Sequence, residues 1–191
     1  MHFITQGLPP DVEQQWKLSS DRLDEWLQGE LFTLKWWLLL AMFILMAVLW
    51  WKLADKTRLN ELVLYTAFII IFIIVLDELG EELSLWYYTV DLIPWFPPIT
   101  AVDITCMPLV YMLIYQYCKT WKSFIIATVI MSVIFCFVLE PVFIWAGVYR
   151  LLTWKSYYGL PLYAAIAFIS KFAINKINAV SSKRKSASHQ A

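Results

Sequence analysis

Apolar residues occur along this chain in long runs that short polar segments separate, and not in alternation with polar residues. Five runs approach the length of about 20 residues that a helix needs to cross the hydrocarbon core of a bilayer. We therefore predict membrane-spanning helices over residues 36–51, 62–79, 99–118, 123–148 and 158–173. The first run, "WWLLLAMFILMAVLWW", has tryptophan pairs at both ends, which is typical of aromatic belts at membrane interfaces.

The segments at the two ends of the chain differ from these runs. Before the first span, large apolar residues recur at helical spacing with acidic residues between them, namely Trp16, Leu23, Trp26, Leu27 and Leu31. This pattern predicts an amphipathic helix that lies in the membrane interface. We divide the chain into an extracytoplasmic N-terminal segment (1–30), a transmembrane domain (31–178) and a disordered, basic cytoplasmic tail (179–191). The predicted fold class is all-α: a polytopic membrane protein with a bundle of about five transmembrane helices after an interfacial amphipathic helix.

The composition supports a membrane location and argues against several other classes of protein. Hydrophobic residues make up 61% of the 191 residues and charged residues 16%, against roughly 25% charged in soluble domains. His2 and His189 are the only histidines, and the three cysteines lie far apart in apolar runs, so we expect no metal and no cofactor. Without a glycine-rich phosphate loop or a recognisable nucleophile–base pair, the sequence favours a non-catalytic protein. We expect membrane lipids as partners, together with a second copy of the chain or a membrane partner protein, and no nucleic acid.

Lysine and arginine are unevenly distributed between the two sides that alternating spans create. With the N-terminus outside, ten of the 15 fall on the inner side, with Lys171 at the inner end of the last span included, and five fall in outside segments. None lies between spans two and three. Inside loops are enriched in Lys and Arg, so we expect the N-terminus outside and the C-terminus inside. No basic stretch precedes the first apolar run, and we expect that run to act as an uncleaved signal anchor.

The segment of residues 75–98, which includes the end of span two and the loop to span three, is purely acidic. It carries Asp77, Glu78, Glu81, Glu82 and Asp91 and no basic residue. The absence of Lys and Arg is expected for an outward-facing loop, and we interpret the last three as loop carboxylates in water. The first two end an apolar helix at the membrane edge, where close negative charges need a counter-charge, a shared proton or a cation.

Two more acidic residues lie within predicted spans. An acid in a span costs about 2.5–3.5 kcal/mol on insertion scales, so it usually faces the bundle interior and marks a site. Asp103 lies near the outer end of the third span and Glu140 near the outer end of the fourth. Pro141 follows Glu140 and removes a backbone hydrogen bond, which predicts a kink beside the acid.

These groups predict one polar site near the outer face of the membrane. Its charged members are Asp77, Glu78, Asp103, Glu140 and Arg150. The aromatic residues that would line it are Trp86, Tyr88, Trp95, Trp145, Tyr149 and Tyr158. Two alternatives stay open: the aromatic residues form an interfacial belt, and the carboxylates pair with Arg150 or Lys155 as static structural contacts.

Three stretches resemble those of a family of small five-span membrane proteins of endospore-forming Gram-positive bacteria. They are "EPVFIWAGVYRLLTWKSYYGLPLY" (140–163), "DELGEELSLW" (77–86) and the Pro-Pro-x-x-x-x-Asp pattern of residues 97–103. The resemblance covers roughly residues 35–178. It implies a bacterial cytoplasmic membrane and no particular activity, because the family has no established one.

Three function classes follow from these features. The first is a binding or structural membrane protein with an acidic and aromatic site at the outer leaflet, and this class we favour. The second is a proton- or cation-linked transporter or channel that uses Asp103 and Glu140. The third is an intramembrane enzyme that acts on an isoprenoid or lipid, with one of these two residues as general acid.

Overall fold

The computed structural model describes residues 9–94 and 102–188; for residues 102, 103 and 182–188 it describes the backbone alone. Helices make up 81% of the structure. In chain order they are α1 (Pro10–Glu25), α2 (Leu34–Leu53), α3 (Leu59–Glu82), α4 (Met107–Tyr117), α5 (Trp121–Ile134), α6 (Glu140–Trp145) and α7 (Gly159–Ser188). Two short strands, β1 (Trp86–Tyr88) and β2 (Tyr149–Leu151), pair antiparallel. The fold is therefore mostly helical, with one two-stranded exception to the predicted all-α class.

Four helices of the described residues are long and apolar enough to cross a membrane. They are Leu34–Leu53, Lys56–Glu82, Trp121–Trp145 and Ser156–Ser181. The apolar helix in the predicted third span, Ile104–Tyr117, is shorter. Residues 95–101, which contain the start of that span, lie outside the described residues. The helical membrane fold is thus supported, and the count of five spans stays a prediction.

Short polar residues mark where two of the long helices begin. The Thr33 side chain accepts a hydrogen bond from the N–H of Trp36 at the start of α2, and Thr120 accepts one from Ser123 at the start of α5. Such N-caps satisfy backbone donors that a helix leaves without partners. The caps place the helix starts close to the predicted first and fourth spans.

The helices run in alternating directions, and hydrogen bonds tie their ends together at both faces of the bundle. At one end, Trp36 at the start of α2 donates to the carbonyl of Leu92, at 3.2 Å. At the other end, Gln116 near the end of α4 donates to the carbonyl of Leu53 (3.0 Å) and accepts from the N–H of Asp55 (2.8 Å). We call the first end the cavity end, because the cavity described below lies there.

The core lies between α3, α4, α5 and α7. Its largest fully buried side chains include Tyr65, Tyr111, Phe124, Leu62, Ile69 and Met112. Leu39 is the one buried residue of α2, and it packs against Val90 and Leu92 of the loop after β1. Many large apolar side chains of α2, α3 and α5 face outward, as expected where lipid replaces water around the bundle.

Helix α7 continues well beyond the predicted span of residues 158–173 and runs to Ser188. The sequence predicted a disordered tail from residue 179. The helix can continue because no glycine or proline follows Pro161 and because lysine, arginine and alanine, which favour helices, occur in the tail. The last three residues lie outside the described part.

Candidate functional site

A cavity of about 120 Å³ lies at the cavity end of the bundle, between α2, α3, α4, α7, the α5–α6 connection and the two strands. Most of its lining is aliphatic or aromatic, including Leu39, Ile73, Met107, Leu162 and Ile166. Two carboxyl groups, those of Asp77 and Glu140, also line it. The cavity thus joins an apolar interior to two acidic side chains that lie 63 residues apart in the sequence.

Asp77 is held by two aromatic donors of β1. Its Oδ1 accepts a hydrogen bond from Trp86 Nε1 at 3.1 Å and another from the Tyr88 hydroxyl at 2.9 Å. The Trp86 ring packs against α3 at Gly80, where an added Cβ would lie 2.0 Å from the ring. Glycine at this position therefore lets the indole reach the carboxylate one turn earlier on the same helix.

The pairing of β1 with β2 decides which side chains face the cavity. Tyr88 lies opposite Tyr149, and Tyr87 lies opposite Arg150. Because side chains alternate along a strand, Trp86, Tyr88 and Tyr149 share the side that faces the cavity, whereas Tyr87 and Arg150 are exposed. Arg150 thus lies outside the cavity.

Glu140 is the first residue of α6, which a π-helical segment joins to α5. Phe135–Leu139 is π-helical, and the N–H of Glu140 donates to the carbonyl of Phe135, five residues earlier. Pro141 accounts for the change, because it has no N–H to continue the α-helical pattern. The missing N–H of Pro141 is thus accompanied by a π-helical segment, a feature that is frequent at functional sites, and the kink stays a prediction.

The Glu140 side chain is buried, with 9% of its surface exposed. The Ser156 hydroxyl lies close enough to its carboxyl group to interact with it. Its Oε1 atom has no hydrogen-bond partner among the described residues. A buried carboxyl oxygen without a donor costs free energy, so this atom is where a ligand or a proton would lower the free energy of the site.

The structure brings five of the predicted site residues to this cavity and leaves the others elsewhere. Those that line it are Asp77, Trp86, Tyr88, Glu140 and Tyr149. Trp145 is 88% exposed, and Tyr158 contacts the cavity residue Trp154 edge to face, with centroids 5.3 Å apart, without lining the cavity itself. The backbone of Asp103 lies in the π-helical segment Val102–Cys106. Its side chain and the whole of Trp95 lie outside the described residues.

Glu78 does not line the cavity, and its charge interacts with those of Arg22 in α1 and Glu82 in α3. Its Oε2 is buried without a hydrogen-bond partner in the part of the chain that the structure describes. The charge of Arg22 also acts on Asp91. The N–H of Asp91 donates to Glu30 Oε2 at 2.9 Å, and Trp26 Nε1 donates to the Asp91 carbonyl at the same distance. Burial, followed by the charges of Glu30 and Glu81, raises the pKa of Asp91 to about 7. The sequence placed Asp91 in water, whereas the contact with Glu30 partly buries it.

A polar network at the opposite end of the bundle was missed by the sequence interpretation. Arg58 forms the one ion pair among the described side chains, with Glu61 at 2.9 Å, and the Tyr115 hydroxyl donates to the same carboxylate at 2.5 Å. Lys171 of α7 donates to the Cys118 carbonyl at 3.1 Å and lies 3.9 Å from the centroid of the Phe124 ring. In the sequence, the one indication of this network was a single lysine inside the apolar run "AAIAFISKFA".

These features describe a mostly helical protein that has four helices long and apolar enough to cross a membrane, and an internal acidic and aromatic cavity. No group of three or more His, Cys, Asp or Glu residues in the described part of the chain is arranged to hold a metal ion. Comparisons with family models, curated proteins and solved structures found no match to this chain. The resemblance drawn from residues 77–86, 97–103 and 140–163 stays a prediction.

Proposed function

We propose that this chain is an integral protein of a bacterial cytoplasmic membrane that binds a small, largely apolar ligand in the cavity beside Asp77 and Glu140. The observation that carries the proposal is the buried Glu140 carboxyl group, whose Oε1 has no hydrogen-bond partner among the described residues. A bound group that donates a hydrogen bond to this oxygen, or that carries a positive charge beside it, would offset its unfavourable burial. A mostly apolar lining with a few convergent polar groups is the usual form of a small-molecule site.

Blocking the cavity tests this function. Ile166 is buried and lines the cavity, whereas Ile169 on the same helix is 53% exposed. We expect organic extracts of the purified wild-type protein to contain a compound that mass spectrometry no longer finds with Ile166→Trp. The matched Ile169→Trp variant should retain it. An extract that is the same for all three proteins would contradict a ligand in this cavity.

The proposal includes five spans, with the N-terminus outside and the cavity at the outer leaflet. Its support is the excess of Lys and Arg at the opposite end of the bundle. Single cysteines at two positions, Glu82→Cys and Lys119→Cys, test it in a cysteine-free background. We expect a membrane-impermeant maleimide to label the first in intact cells and the second only after permeabilisation. The reverse pattern would overturn the orientation.

Proton- or cation-linked transport is a second candidate, which one observation favours. Both predicted intramembrane acids occur at π-helical breaks: Asp103 lies within Val102–Cys106, and Glu140 directly follows Phe135–Leu139. π-Helical segments are frequent at functional sites, and intramembrane acidic residues often mark ion or proton pathways. In liposomes, a pH-dependent flux that both Asp103→Asn and Glu140→Gln abolish would support transport. Equal flux in the wild type and in these variants would exclude it.

A further inference from the structure

The charge of the cavity restricts the class of its ligand. Among the described residues that line it, two are carboxylic acids and none is Lys, Arg or His. Glu140 is a buried member of this lining, and the side chain that interacts with its carboxyl group is the neutral Ser156 hydroxyl. An anionic ligand would therefore meet only like charge here, whereas a cation would meet an oxygen that lacks a donor.

The same cavity is rich in aromatic rings. Trp86, Tyr88, Tyr149, Trp154 and Tyr163 all line it. Two pairs of these rings pack closely, Trp86 with Trp154 at 5.2 Å and Tyr88 with Tyr149 at 5.3 Å between centroids. Aromatic faces attract cations, and cages of such rings are a known means of binding quaternary ammonium groups. The aromatic rings and the carboxyl groups of the lining thus both favour a cationic ligand.

The rest of the lining is apolar, and this favours an organic cation over a metal ion as the ligand. Metal ions of the Ca²⁺ or Mg²⁺ type need about six oxygen ligands, and no suitable metal-binding group exists among the described residues. Leu39, Ile73 and Ile166 instead present hydrocarbon to the cavity. Alkyl groups on a nitrogen match such walls, and their charge is diffuse and weakly hydrated.

We propose that the ligand of this cavity is an organic cation whose alkylammonium group lies between the Glu140 carboxylate and the aromatic residues of β1 and β2. This inference rests on the proposed ligand-binding function. The volume is appropriate: the cavity measures about 120 Å³, and a dry cavity of about 150 Å³ binds benzene. A trimethylammonium head group is of this order of size, and any longer substituent would extend out of the cavity.

Choline and its neutral isostere 3,3-dimethylbutan-1-ol test the proposal, because they differ only in the replacement of the quaternary nitrogen by carbon. The full-length protein is purified in a maltoside detergent without choline lipids, and both dissociation constants are measured by calorimetry. We expect the wild type to bind choline at least about tenfold more tightly than the alcohol, a difference of about 1.4 kcal/mol. Glu140→Gln should remove this preference. Glu82→Gln, an exposed carboxylate on α3, should retain it.

The outcomes distinguish failure of the cation inference from failure of the proposed ligand binding in the cavity. Equal affinities for choline and the alcohol in the wild type would overturn the cation inference and leave ligand binding intact. Absence of binding by both probes also overturns it, and the extracts of the Ile166→Trp protein then decide separately whether the cavity holds another compound. The wild-type comparison needs no substitution, so it stands even where Glu140→Gln does not fold. In that case Trp154→Leu, which removes one ring of the lining, should lower choline affinity more than alcohol affinity.

Discussion

The Trp86 indole packs directly on α3 at Gly80, so closely that a Cβ at position 80 would lie 2.0 Å from the ring. The contact joins the end of a spanning helix to the first strand, and it lets Trp86 Nε1 reach Asp77 at 3.1 Å. One glycine thus positions both an aromatic wall of the cavity and the donor that holds its first carboxylate.

Replacing this glycine should displace the ring. We expect Gly80→Ala to destabilise the protein by about 1–3 kcal/mol, as overpacking usually does, and to weaken retention of the cavity ligand. Thermal unfolding in detergent measures the first effect and extract analysis the second. Gly29→Ala is the matched control, because an added Cβ there meets no atom within 4 Å. Equal unfolding midpoints for the two variants would show that the Trp86 ring adjusts without cost.

The Tyr115 hydroxyl should contribute measurably to stability at the opposite end of the bundle. It donates to Glu61, and its ring stacks on Tyr65 with centroids 4.1 Å apart. Tyr115→Phe keeps the stack and removes the hydrogen bond to a charged acceptor, for which about 1.5–3 kcal/mol is typical. Because Arg58 continues to hold Glu61, we expect the lower part of that range. Thermal unfolding of Tyr117→Phe, whose ring is 68% exposed, supplies the control and should match the wild type.

Lys171 is a buried cation. It stabilises the bundle only if its contacts contribute more free energy than its burial costs. Only 4% of its surface is exposed. A lysine at the centre of a spanning helix costs about 2.5–3.5 kcal/mol on insertion scales, which is an upper bound for Lys171 near the end of the bundle. A desolvated cation–π contact returns about 2 kcal/mol, here with Phe124, and a charged hydrogen bond about 1.5–3 kcal/mol, here with the Cys118 carbonyl. The gains slightly exceed the cost.

Lys171→Met should therefore destabilise the protein modestly, by about 1 kcal/mol, although it removes a charge from the bundle. Lys176→Met provides the comparison, because Lys176 is an exposed lysine of the same helix and should change the unfolding midpoint little. A higher midpoint for Lys171→Met than for the wild type would mean that desolvation outweighs the ring and carbonyl contacts. Thermal unfolding of the three proteins in one detergent makes the comparison.

The helices and the general position of the acidic residues were accessible from the sequence. Long apolar runs require helices in lipid, because every backbone polar group must be satisfied within the segment. Alternating spans then place the end of α3 and the region of Glu140 at the same end of the bundle, where the structure has the cavity. The tryptophans at 36 and 51 marked the first helix to within two residues of Leu34 and Leu53.

What sequence could not supply depends on contacts between distant segments. Strands of three residues each, such as β1 and β2, have too few positions for a period of two to emerge, and they lie about 60 residues apart. Their register alone decides that Tyr149 faces the cavity and Arg150 does not. Lys171 was counted as an inside charge, because nothing in the sequence shows that its amino group contacts the Cys118 carbonyl and the Phe124 ring.

The contact between Asp91 and Glu30 predicts a stability that falls as pH rises. Asp91 lies outside the spanning helices, and burial together with the charges of Glu30 and Glu81 raises its pKa to about 7, whereas an unfolded chain has a pKa of about 3.9 for Asp. Between these values the folded protein binds a proton that the unfolded chain releases. Its contribution to stability is therefore complete below about pH 4 and is lost as pH rises through about 7.

We expect the unfolding midpoint of the wild type to fall between about pH 5 and pH 8 by several degrees, since about 1 kcal/mol corresponds to about 2–4 °C in a protein of this size. Asp91→Asn keeps the shape and removes the ionisation, so it should flatten this pH dependence and unfold at a higher temperature than the wild type at pH 8. Asp11→Asn, at an exposed position of α1, should follow the wild-type profile. If Asp91→Asn kept the full wild-type slope, the pH dependence would originate elsewhere, and the contact between Asp91 and Glu30 would not link the N-terminal segment to pH.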